Sequence, residues 1–461
     1  MRYTLTLTER QYQTATSHLF STPGTEQALY LLCGISHTDG EARLLARSVI
    51  PVQPQEVLSQ SSGHVSIPSS SFLPVLKRAE QEKSCFVFVH SHPEDVPDHS
   101  AQDNREEIHL FRTAYNRINA PGAIHASLVF SRPDLPRGRV WLDGRGTAPV
   151  DVVRVVGDRF RFFFRRNPEG ADTTFHDRQV RAFGPDLLPL LKNLTVGIVG
   201  AGGTGSAVTE QLIRLGVGHL IISDGETLDP SNVSRVYGSG AEDGGALKVE
   251  LLRRLSDQIG LGTKIEILDQ PITFASVLKR LRDCDLIFGC TDDEWGRALL
   301  SRFCLEYLIP VFDLGAKIDS HEGTIRSIVG RVTVLLPAAR CLFCRKQISA
   351  VGVQAQMMQE LRPEEAEARR KEGYAPELGD PAPAVVAFTT ATAALAVTEL
   401  LQRLVGFRGD DGSIDETIIR FDHGEIHTPG CMPLPDCFCL DSRVIGRGDR
   451  ARFLDQAWRP E

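Results

Sequence analysis

The stretch LTVGIVGAGGTGSAVTEQLIRLGVGHLIISD, residues 194–224, decides the fold of the C-terminal half of the chain. An apolar run is followed by a glycine cluster, a helical pattern and a second apolar run that ends at Asp224. This order is typical of a βαβ unit and predicts a parallel, doubly wound sheet. Backbone amides and the helix dipole at such a turn favour a bound phosphate. The candidate nucleotide-binding residues are Gly200, Gly202, Gly203, Gly205 and, for the ribose hydroxyls, Asp224.

Length and composition limit what surrounds this unit. The chain has 461 residues, which predicts two or three domains of roughly 150 residues each. With 42% hydrophobic and 24% charged residues, it has the composition of a folded protein. The net charge of −8 argues against nucleic acid as the main partner. The N-terminus lacks a signal-peptide pattern, and the most apolar long stretch, residues 384–401, contains four threonines and Glu399. We therefore expect a cytoplasmic protein without a membrane span.

Several charged residues flank the glycine turn. Taken alone, the turn fits an NAD-dependent dehydrogenase equally well. The turn is followed by Asp229-Pro230-Ser231-Asn232-Val233-Ser234-Arg235, by Lys248 in the next predicted helix and by Asp292 after another apolar strand, and Arg178 precedes the first strand. With these motifs, residues 176–440 resemble the ThiF/MoeB fold of ubiquitin-activating enzymes, which adenylate the C-terminal glycine of a ubiquitin-like protein.

This resemblance implies a role for each charged residue. Asp224 would bind ribose, Asp292 would hold Mg²⁺, and Arg235 and Lys248 would contact the triphosphate of ATP, with Asn232 in the same nucleotide-binding set. Arg178 would reach the nucleotide of the other subunit in a homodimer. A carboxylate that attacks an α-phosphate needs cations to screen the repulsion between the two anions. Without the resemblance, Arg235 and Lys248 would be interpreted as solvated surface charges.

A second pattern lies in the N-terminal third. The apolar run Cys85–Val89 ends in His90-Ser91-His92-Pro93, and residues i and i+2 of a strand share a face, so both histidines can bind one metal ion. Ser100 then opens a helical pattern in which Asp103 lies one turn in. Two imidazoles and one carboxylate leave one position of a tetrahedral zinc for water, which is typical of a catalytic site. A lone His-x-His is common without a metal, and Ser100 with Asp103 also fits a capping box alone.

The complete pattern His-x-His-Pro-x6-Ser-x2-Asp, over residues 90–103, resembles the motif of the JAMM (JAB/MPN) metalloproteases, which cleave ubiquitin-like proteins from their extensions or conjugates. The resemblance covers residues 1–155 and implies a catalytic zinc held by His90, His92 and Asp103. It further implies Glu26 as general base and Ser100 as hydrogen-bond donor to the oxyanion. Without it, Glu26 would be interpreted as a surface charge at a strand start. His99 is expected to be solvated.

The ten cysteines are expected to be reduced, and their clustering indicates metal binding rather than disulfides. Cys341-x2-Cys344 and Cys437-x-Cys439 could together hold a structural zinc, as in many members of the ThiF/MoeB fold. That fold usually has Cys-x2-Cys at the second pair as well. Because the spacing here is tighter, Cys431, His423 and His427 remain alternatives for one ligand.

The crossover segment before the last predicted core helix contains no cysteine. Activating enzymes that form a thioester with their cargo usually carry the reactive cysteine there, yet none occurs between Cys344 and Cys431. Adenylation is therefore better supported than thioester transfer, and we expect the adenylate to pass to an external thiol on a conjugating enzyme or a sulfur carrier. Cys290 is expected to be too buried to react, which leaves Cys431 as the reserve candidate.

The predicted fold class is α/β. It consists of an N-terminal α+β JAMM/MPN-like zinc hydrolase domain at residues 1–155, a linker at 156–175, a doubly wound Rossmann-like ThiF/MoeB domain at 176–440 and a weakly ordered tail at 441–461. We interpret the chain as a bifunctional enzyme that trims or releases a ubiquitin-like protein and adenylates its C-terminal glycine. Such pairings resemble bacterial ubiquitin-like conjugation or sulfur-transfer systems, some associated with phage defence. The alternatives are an NAD(P)-dependent oxidoreductase with an accessory metal domain, and a non-catalytic scaffold for a ubiquitin-like protein.

Overall fold

The computed structural model describes residues 1–93, 96–118, 120, 122–143, 146–166, 172–371, 383–450, 452–456 and 458–459, without the side chains of 368–371. The chain forms two compact units. Unit 1 comprises Met1–Asn167, Glu306–Leu308 and Ser442–Phe453. Unit 2 comprises Pro168–Leu305, Ile309–Asp441 and Leu454–Glu461.

Unit 1 is built on one mixed sheet. Its elements are β1 (Arg2–Thr8), α1 (Glu9–Leu19), β2 (Ala28–His37), β3 (Glu41–Pro51), β4 (Ser59–Gln60), β5 (Val65–Ser66), α2 (Ser69–Gln81), β6 (Cys85–Ser91), α3 (Ala101–Arg117), β7 (His125–Phe130), β8 (Pro136–Leu142), β9 (Gly146–Pro149), β10 (Val152–Val156) and β11 (Arg161–Phe164). The main sheet has the order β11-β10-β1-β3-β2-β6-β7-β8-β9, and β4 with β5 forms a separate small hairpin. The strand predicted from the apolar run Cys85–Val89 is confirmed as part of β6.

The sheet of unit 1 is covered on both faces, which explains its long apolar runs. Along β2, Leu29, Leu31 and Cys33 belong to one buried cluster, which includes residues of α1. The alternate residues of the same strand, Tyr30 and Leu32, belong to a second cluster with residues of α2 and α3. Strand β6 pairs antiparallel with β2 and parallel with β7, so α3 is the crossover between two parallel strands.

A buried group of ions lies within this sheet. Glu41 accepts hydrogen bonds from Nη1 of Arg154 at 2.8 Å and from Nη2 of Arg43 at 3.0 Å, and from the hydroxyl of Thr4. The three charged side chains are almost inaccessible to solvent. The buried carboxylate is therefore paired with two guanidinium groups, and buried charges need such partners.

The linker expected at residues 156–175 is shorter than the sequence indicated. β11 pairs antiparallel with β10, so residues up to Phe164 belong to the sheet of unit 1. The aromatic residues of this strand account for the difference, because Phe163 stacks on Tyr12 at 5.8 Å between ring centroids. Residues 167–171 of the expected linker lie outside the described residues.

The expected tail at residues 441–461 also differs. Residues 442–450, the C-terminal arm, belong to unit 1. β6 pairs with β2 only as far as Cys33, and beyond that point Ile35 forms a parallel bridge with Gly448. The backbone amide of Asp449 donates to Ile35 O at 2.7 Å, and a Cβ on Gly448 would lie 2.1 Å from that oxygen. Glycine is therefore required where the arm crosses the strand.

Unit 2 is built on a second sheet. Its elements are α4 (Asp177–Phe183), α5 (Leu187–Lys192), β12 (Thr195–Val199), α6 (Gly203–Leu215), β13 (His219–Ser223), α7 (Lys248–Ile259), β14 (Lys264–Leu268), α8 (Ala275–Leu281), β15 (Leu286–Gly289), α9 (Glu294–Tyr307), β16 (Val311–His321), β17 (Thr324–Leu335), α10 (Ala350–Leu361), α11 (Pro363–Lys371), α12 (Val386–Val405), β18 (Glu416–Arg420) and β19 (Glu425–His427). The strand order is β14-β13-β12-β15-β16-β17-β18-β19.

The first five strands of this sheet are parallel and the last three are antiparallel additions. β12 lies between β13 and β15, so the chain leaves β12 toward one side and later returns on the other. This is the switch point at which doubly wound sheets bind ligands, and the prediction of such a sheet is confirmed. The apolar stretch 384–401 falls in α12, which packs against α6. Among the described residues, no helix combines the length and the hydropathy that crossing a bilayer requires.

Candidate functional site

The glycine turn of unit 2 connects β12 to α6. Gly202 is the N-cap of the helix, and Gly200 has φ +95°, a left-handed conformation that favours glycine. A Cβ on Gly205 would lie 1.8 Å from Gly200 O, so the first turn of the helix packs directly on the loop. Unpaired backbone amides at the start of α6 therefore face the carboxyl edge of the sheet, where a phosphate can bind.

Asp224 lies directly after β13, the parallel neighbour of β12. Its Oδ2 accepts from the amide of Ala201 at 2.6 Å and its Oδ1 from the amide of Glu226 at 2.8 Å. Burial raises the pKa of Asp224 above its usual value, although the two amides oppose this. Each carboxylate oxygen keeps a second lone pair, so Asp224 fixes the loop and can still accept a hydroxyl.

The predicted cations lie on the segment after β13. Lys248 is the first residue of α7, is buried, and forms an ion pair with the exposed carboxylate of Glu226. Arg235 is half-buried and donates from Nη1 to Ser231 O at 3.0 Å. Its Cδ would lie 3.3 Å from a Cβ on Gly203, which brings Arg235 beside the glycine turn. Asn232 ends the short 3-10 helix Pro230–Asn232 in the same segment.

Asp292 follows β15, the other parallel neighbour of β12, and is exposed. The loop that carries it touches the glycine turn, because the amide of Cys290 donates to Val199 O at 2.7 Å. Asp292 therefore lies at the same edge of the sheet as Gly200 and Asp224. Arg178 is exposed on α4, and its expected role in a second subunit stays a prediction.

One buried ion pair near this edge was missed by the sequence analysis. Arg297 on α9 binds Asp313 on β16 through two hydrogen bonds, Nε to Oδ1 at 2.8 Å and Nη2 to Oδ2 at 2.5 Å. Burial alone would lower the pKa of Arg297, but the carboxylate of Asp313 outweighs it and raises the pKa. Asp313 is paired with Gly289 in the register of β15 and β16. An aspartate inside an apolar strand was the available signal.

The four cysteines of the predicted structural zinc site come together. The distances between their Sγ atoms include 3.9 Å for Cys341–Cys344, 3.5 Å for Cys341–Cys437 and 3.6 Å for Cys344–Cys439. All four sulfur atoms lie within 4.8 Å of one another, so the tighter Cys-x-Cys spacing does not separate them. Zinc–sulfur bonds of about 2.3 Å at tetrahedral angles need such distances between sulfur atoms. The four-thiol group therefore has the geometry of a closed site.

The alternative ligands have other neighbours. Nε2 of His423 lies 3.5 Å from Oδ2 of Asp422, and Nε2 of His427 lies 3.0 Å from Oε2 of Glu425. Both imidazole side chains are exposed. Cys431 is half-buried, with its Sγ 3.5 Å from Met432 O. Cys290 is half-buried, and burial raises the pKa of its thiol, while its low reactivity stays a prediction.

A model of the ThiF family matches residues 176–437. The chain belongs to the ThiF family. The match includes the glycine turn, Asp224, Lys248, Asp292 and three of the four clustered cysteines. Mixed α/β architecture with a Rossmann-like sheet, seen in unit 2, accords with this membership.

Curated relatives of this ThiF-family chain match it over about a third of its length. It is 29% identical to the ubiquitin-like modifier-activating enzyme 5 of Drosophila willistoni over 150 residues, 30% of this chain and 37% of the relative. It is 29% identical to the molybdopterin-synthase adenylyltransferase of Escherichia coli K12 over 174 residues, 36% of this chain and 66% of the relative. The chain therefore spans 37% of the length of the first of these relatives. The crystal structure of E. coli MccB with MccA-N7isoASN has a TM-score of 0.46 at 16% identity and covers 59% of this chain and 76% of that one.

The region before the ThiF match carries the second site, at the ends of β2 and β6. The register pairs Ala28 with His90, so the residues before β2 lie beside the residues at the end of β6. The amide of Ser91 donates to Gln27 O at 3.0 Å and fixes this arrangement. The amide of Glu26 donates to Ser61 O at 2.8 Å, next to the hairpin of β4 and β5. Glu26 is thereby held next to His92.

Four predicted residues converge in this site of the ThiF-family chain. Nε2 of His90 lies 3.0 Å from Nε2 of His92. Asp103 Oδ1 lies 3.3 Å from the first of these nitrogens and Asp103 Oδ2 lies 3.4 Å from the second. Glu26 Oε1 lies 3.8 Å from Nε2 of His92. The side chains of Glu26 and both histidines are buried, and that of Asp103 is 16% exposed.

The capping box that Ser100 and Asp103 could form is present. Ser100 is the N-cap of α3; its Oγ accepts from the amide of Asp103 at 3.1 Å, while Asp103 Oδ2 accepts from the amide of Ser100 at 2.5 Å. The capping box aims the carboxylate of Asp103 at the two imidazoles. Because the serine oxygen is used as an acceptor, its hydroxyl hydrogen remains available to donate.

The surroundings of the site shift the pKa values of its two carboxylates, Glu26 and Asp103, in opposite directions. Burial raises the pKa of Glu26 to about 7, although the two histidines oppose it. For Asp103, burial acts in the same direction, but hydrogen bonds from His90 and His92 outweigh it and hold the pKa well below its usual range. One carboxylate is therefore a permanent anion suited to a cation, and the other can take and release a proton near neutral pH.

The expectation that His99 is solvated is wrong. Its side chain is 8% exposed, and Nε2 lies 3.0 Å from Ser127 Oγ on β7. That serine donates to Glu107 Oε2 at 2.6 Å, and Arg139 Nη2 donates to the same oxygen at 2.7 Å. Burial lowers the pKa of His99 to about 2, so the ring is neutral and donates to the serine. No local pattern indicated this network, because its members come from three separate elements.

Proposed function

We propose that unit 2 catalyses the ATP-dependent adenylation of the C-terminal glycine of a ubiquitin-like protein. The observation that carries this proposal is the glycine turn at the carboxyl edge of the sheet, with Asp224, Asp292 and Lys248 on the segments around it. Two relatives are named as a ubiquitin-like modifier-activating enzyme and an adenylyltransferase, which supports the same reaction.

Each residue of the site has its own role in this reaction. The carboxylate of the glycine attacks the α-phosphorus of ATP, a bond from carboxylate oxygen to phosphorus forms, and pyrophosphate leaves with the electrons of the broken bond. The amides at the start of α6 hold phosphate oxygens, and Asp224 accepts the ribose hydroxyls. Arg235 and Lys248 screen the repulsion between the two anions, which requires Lys248 to exchange Glu226 for phosphate. Asp292 would hold the Mg²⁺ that accompanies the nucleotide.

The test is the exchange of labelled pyrophosphate into ATP. A candidate ubiquitin-like protein that ends in glycine should make the exchange possible, and removal of its last glycine should abolish it. Exchange of a hydride with NAD(P)H, without pyrophosphate exchange, would support the oxidoreductase alternative and contradict the proposal.

We also propose that unit 1 is a zinc-dependent peptidase that cleaves after the C-terminal glycine of the ubiquitin-like protein. The carrying observation is the convergence of Glu26 with His90, His92 and Asp103 within 3.8 Å contacts in a buried site. Two imidazole nitrogens and one carboxylate are the donor set of a catalytic zinc site, so these residues fit the ion. A zinc ion bound there supplies a Lewis acid.

Glu26 and Ser100 would carry the proton transfer and the charge. Glu26 accepts a proton from the attacking water and returns it to the leaving amine. The hydroxyl hydrogen of Ser100 donates to the oxygen of the scissile carbonyl as negative charge develops. Cleavage of a C-terminal extension from the ubiquitin-like protein, inhibited by a chelator and restored by zinc, tests this assignment. Chelator-insensitive cleavage would contradict it.

Three further assignments accompany these two activities. We infer that Cys341, Cys344, Cys437 and Cys439 hold a structural zinc, because their sulfur atoms lie within 4.8 Å of one another. Unit 2 acts as a homodimer in which Arg178 serves the partner's nucleotide. The adenylate passes directly to an external thiol on a conjugating enzyme or a sulfur carrier, because the crossover segment has no cysteine. Joining the two activities in one chain raises their effective concentration for the shared partner.

A further inference from the structure

One cavity of unit 1 has a strongly basic lining. Its volume is about 420 Å³, and it is lined by Arg47, Arg78, Glu82, Arg443, Arg447 and Arg450, together with two serines. Five arginines and one glutamate thus surround one space in a chain whose net charge is −8. The lining of this cavity is therefore opposite in sign to the net charge of the chain.

The lining combines two parts of the chain that are distant in sequence. Arg47 on β3 donates from Nε to Ile445 O at 3.2 Å and from Nη2 to Arg443 O at 3.1 Å. Its Nη1 lies 3.3 Å from Glu82, and its side chain is 11% exposed. Arg47 thus holds the C-terminal arm through two of its nitrogens and binds Glu82 through the third.

Two other arginines keep donors for a ligand. Arg78 binds Glu82 through Nε at 2.8 Å and Ser48 through Nη2 at 3.0 Å, which leaves Nη1 on a side chain that is 48% exposed. The Nε atom of Arg450 is buried, and the described residues offer it no hydrogen-bond partner. Burial lowers the pKa of the Arg450 guanidinium, and the neighbouring charge of Arg47 lowers it further. The carboxylate of Glu82 acts in the opposite direction on this pKa but does not outweigh these two effects. A buried donor without a hydrogen-bond partner is costly, and a bound anion would supply that partner.

The lining of the cavity contains one carboxylate for its five arginines. Glu82 is shared by Arg47 and Arg78, and Arg447 binds Glu306 at 2.9 Å. Like charges around one space repel one another, and a bound anion would relieve that repulsion. We propose that this cavity binds a small anion that carries phosphoryl groups, free or as part of a nucleotide.

The chemistry of the lining favours this ligand class. Guanidinium groups match phosphate oxygens in pairs, and arginine is preferred where such recognition is needed. A volume of about 420 Å³ exceeds that of a single monovalent ion and falls in the range of small-molecule sites. The excess of positive charge selects a multivalent anion over a monovalent one. The proposal is independent of the two activities proposed above, because none of its residues belongs to either site.

Calorimetric titration of inorganic pyrophosphate into the full-length protein tests the proposal. All titrations use protein with the background substitution Arg235→Ala, because this change weakens phosphate binding at the glycine turn of unit 2, which would otherwise compete. We expect binding that Arg450→Gln weakens by about tenfold, the loss expected for one charged hydrogen bond. Arg450→Lys should retain more affinity than Arg450→Gln, and Arg10→Gln, a change at an exposed arginine of α1, should leave it unchanged. The circular dichroism spectrum of each variant controls for folding.

A parallel titration with ATP identifies the source of the phosphoryl group. Binding of ATP that depends on Arg450 assigns the site to a nucleotide, and binding of pyrophosphate alone assigns it to a free phosphate; both support the proposal. Three outcomes overturn it: no pyrophosphate binding at millimolar concentration, equal affinity in Arg450→Gln, or Arg450-dependent binding of an acidic peptide only.

Discussion

Oε1 of Glu26 lies 3.8 Å from Nε2 of His92, and both side chains are buried. The antiparallel register of β2 and β6, which pairs Ala28 with His90, produces this relationship between residues that are far apart in sequence. A slip of one residue in that register would turn the side chains to the other face of the sheet. The proposed general base and the proposed ligands therefore depend on one strand pairing.

Glu26→Gln should abolish cleavage while leaving zinc bound. The amide cannot accept the proton of the attacking water, so the rate should fall by about 10²–10⁴-fold. Cleavage of an extended ubiquitin-like protein measures the rate, and elemental analysis measures the zinc. Glu80→Gln, at an exposed position of α2, is the matched control and should keep full activity. Undiminished cleavage by Glu26→Gln with zinc present would refute the assignment.

Asp292→Ala should abolish pyrophosphate exchange, because the proposed Mg²⁺ loses its carboxylate. Arg178→Ala should do the same if the arginine serves the partner's nucleotide. Mixing the two variants creates some dimers with one intact site, so part of the activity should return. Size-exclusion chromatography of differently tagged chains verifies mixing. If mixed dimers form and stay inactive, the shared site is excluded while the other roles stand.

Cys439→Ser should lower the zinc content by about one ion per chain and destabilise unit 2, because structural zinc contributes to folding. Hydrogen bonds from the neighbouring thiols, Cys341 foremost, hold the pKa of Cys439 below its usual value, which favours the thiolate that zinc binds. Elemental analysis and thermal unfolding measure the two effects. Cys431→Ser is the control and should retain the zinc. Loss of zinc from Cys431→Ser, but not from Cys439→Ser, would make Cys431 the zinc ligand in place of Cys439.

The ion group of Glu41 should make unit 1 sensitive to acid. Burial opposes ionisation of Glu41, but Arg154 and Arg43 outweigh it and hold the pKa well below its ordinary value of 4.5. A depressed folded-state pKa adds stability that is present above pH 4.5 and is lost as the pH falls further. Glu41→Gln should therefore cost about 3–5 kcal/mol at neutral pH.

Denaturant unfolding at several pH values measures this effect. The difference between Glu41→Gln and the unmodified protein should narrow as the pH falls below 4.5, because protonation removes the same charge. Asp39→Asn, a change at an exposed turn residue, should show no such trend. A difference that stays constant over the acid range would mean that the ion group does not control acid stability.

Incubation with ATP and the ubiquitin-like protein should give no covalent adduct of enzyme and partner on non-reducing electrophoresis. The crossover segment lacks a thiol, and burial raises the pKa of the Cys290 thiol, which leaves it little thiolate at neutral pH. An adduct that a reductant removes, and that Cys431→Ala eliminates, would make Cys431 the catalytic thiol.

Local patterns predicted much of both candidate sites. The spacing of His90, His92 and Asp103 is fixed by one strand and one helix start, so their convergence was predictable. The glycine turn and Asp224 follow in the same way from consecutive elements. Glu26 was different, because its position depends on strand pairing and only the family resemblance indicated it.

Long-range pairing explains what the sequence analysis missed. His99 is buried because β7 and β8 bring Ser127 and Arg139 beside it. Arg297 and Asp313 meet because α9 packs beside β16. The sequence of the C-terminal arm is that of a polar tail. The arm is ordered because it pairs with the end of β2, where Ile35 bridges Gly448. Such contacts depend on which elements become neighbours, and no local periodicity encodes that.

The C-terminal arm also delays the completion of unit 1 during synthesis of the chain. Residues 442–450 are translated after all the main elements of unit 2, although they bridge Ile35 in the first strands of the chain. At 5–20 residues per second, a ribosome needs roughly 15–55 s between the end of β11 and the arm. During that interval the nascent N-terminal sheet has an open strand end at Ile35–His37, and Arg47 lacks its backbone acceptors. Completion of the N-terminal unit, and of its basic cavity, is therefore a late event of biosynthesis.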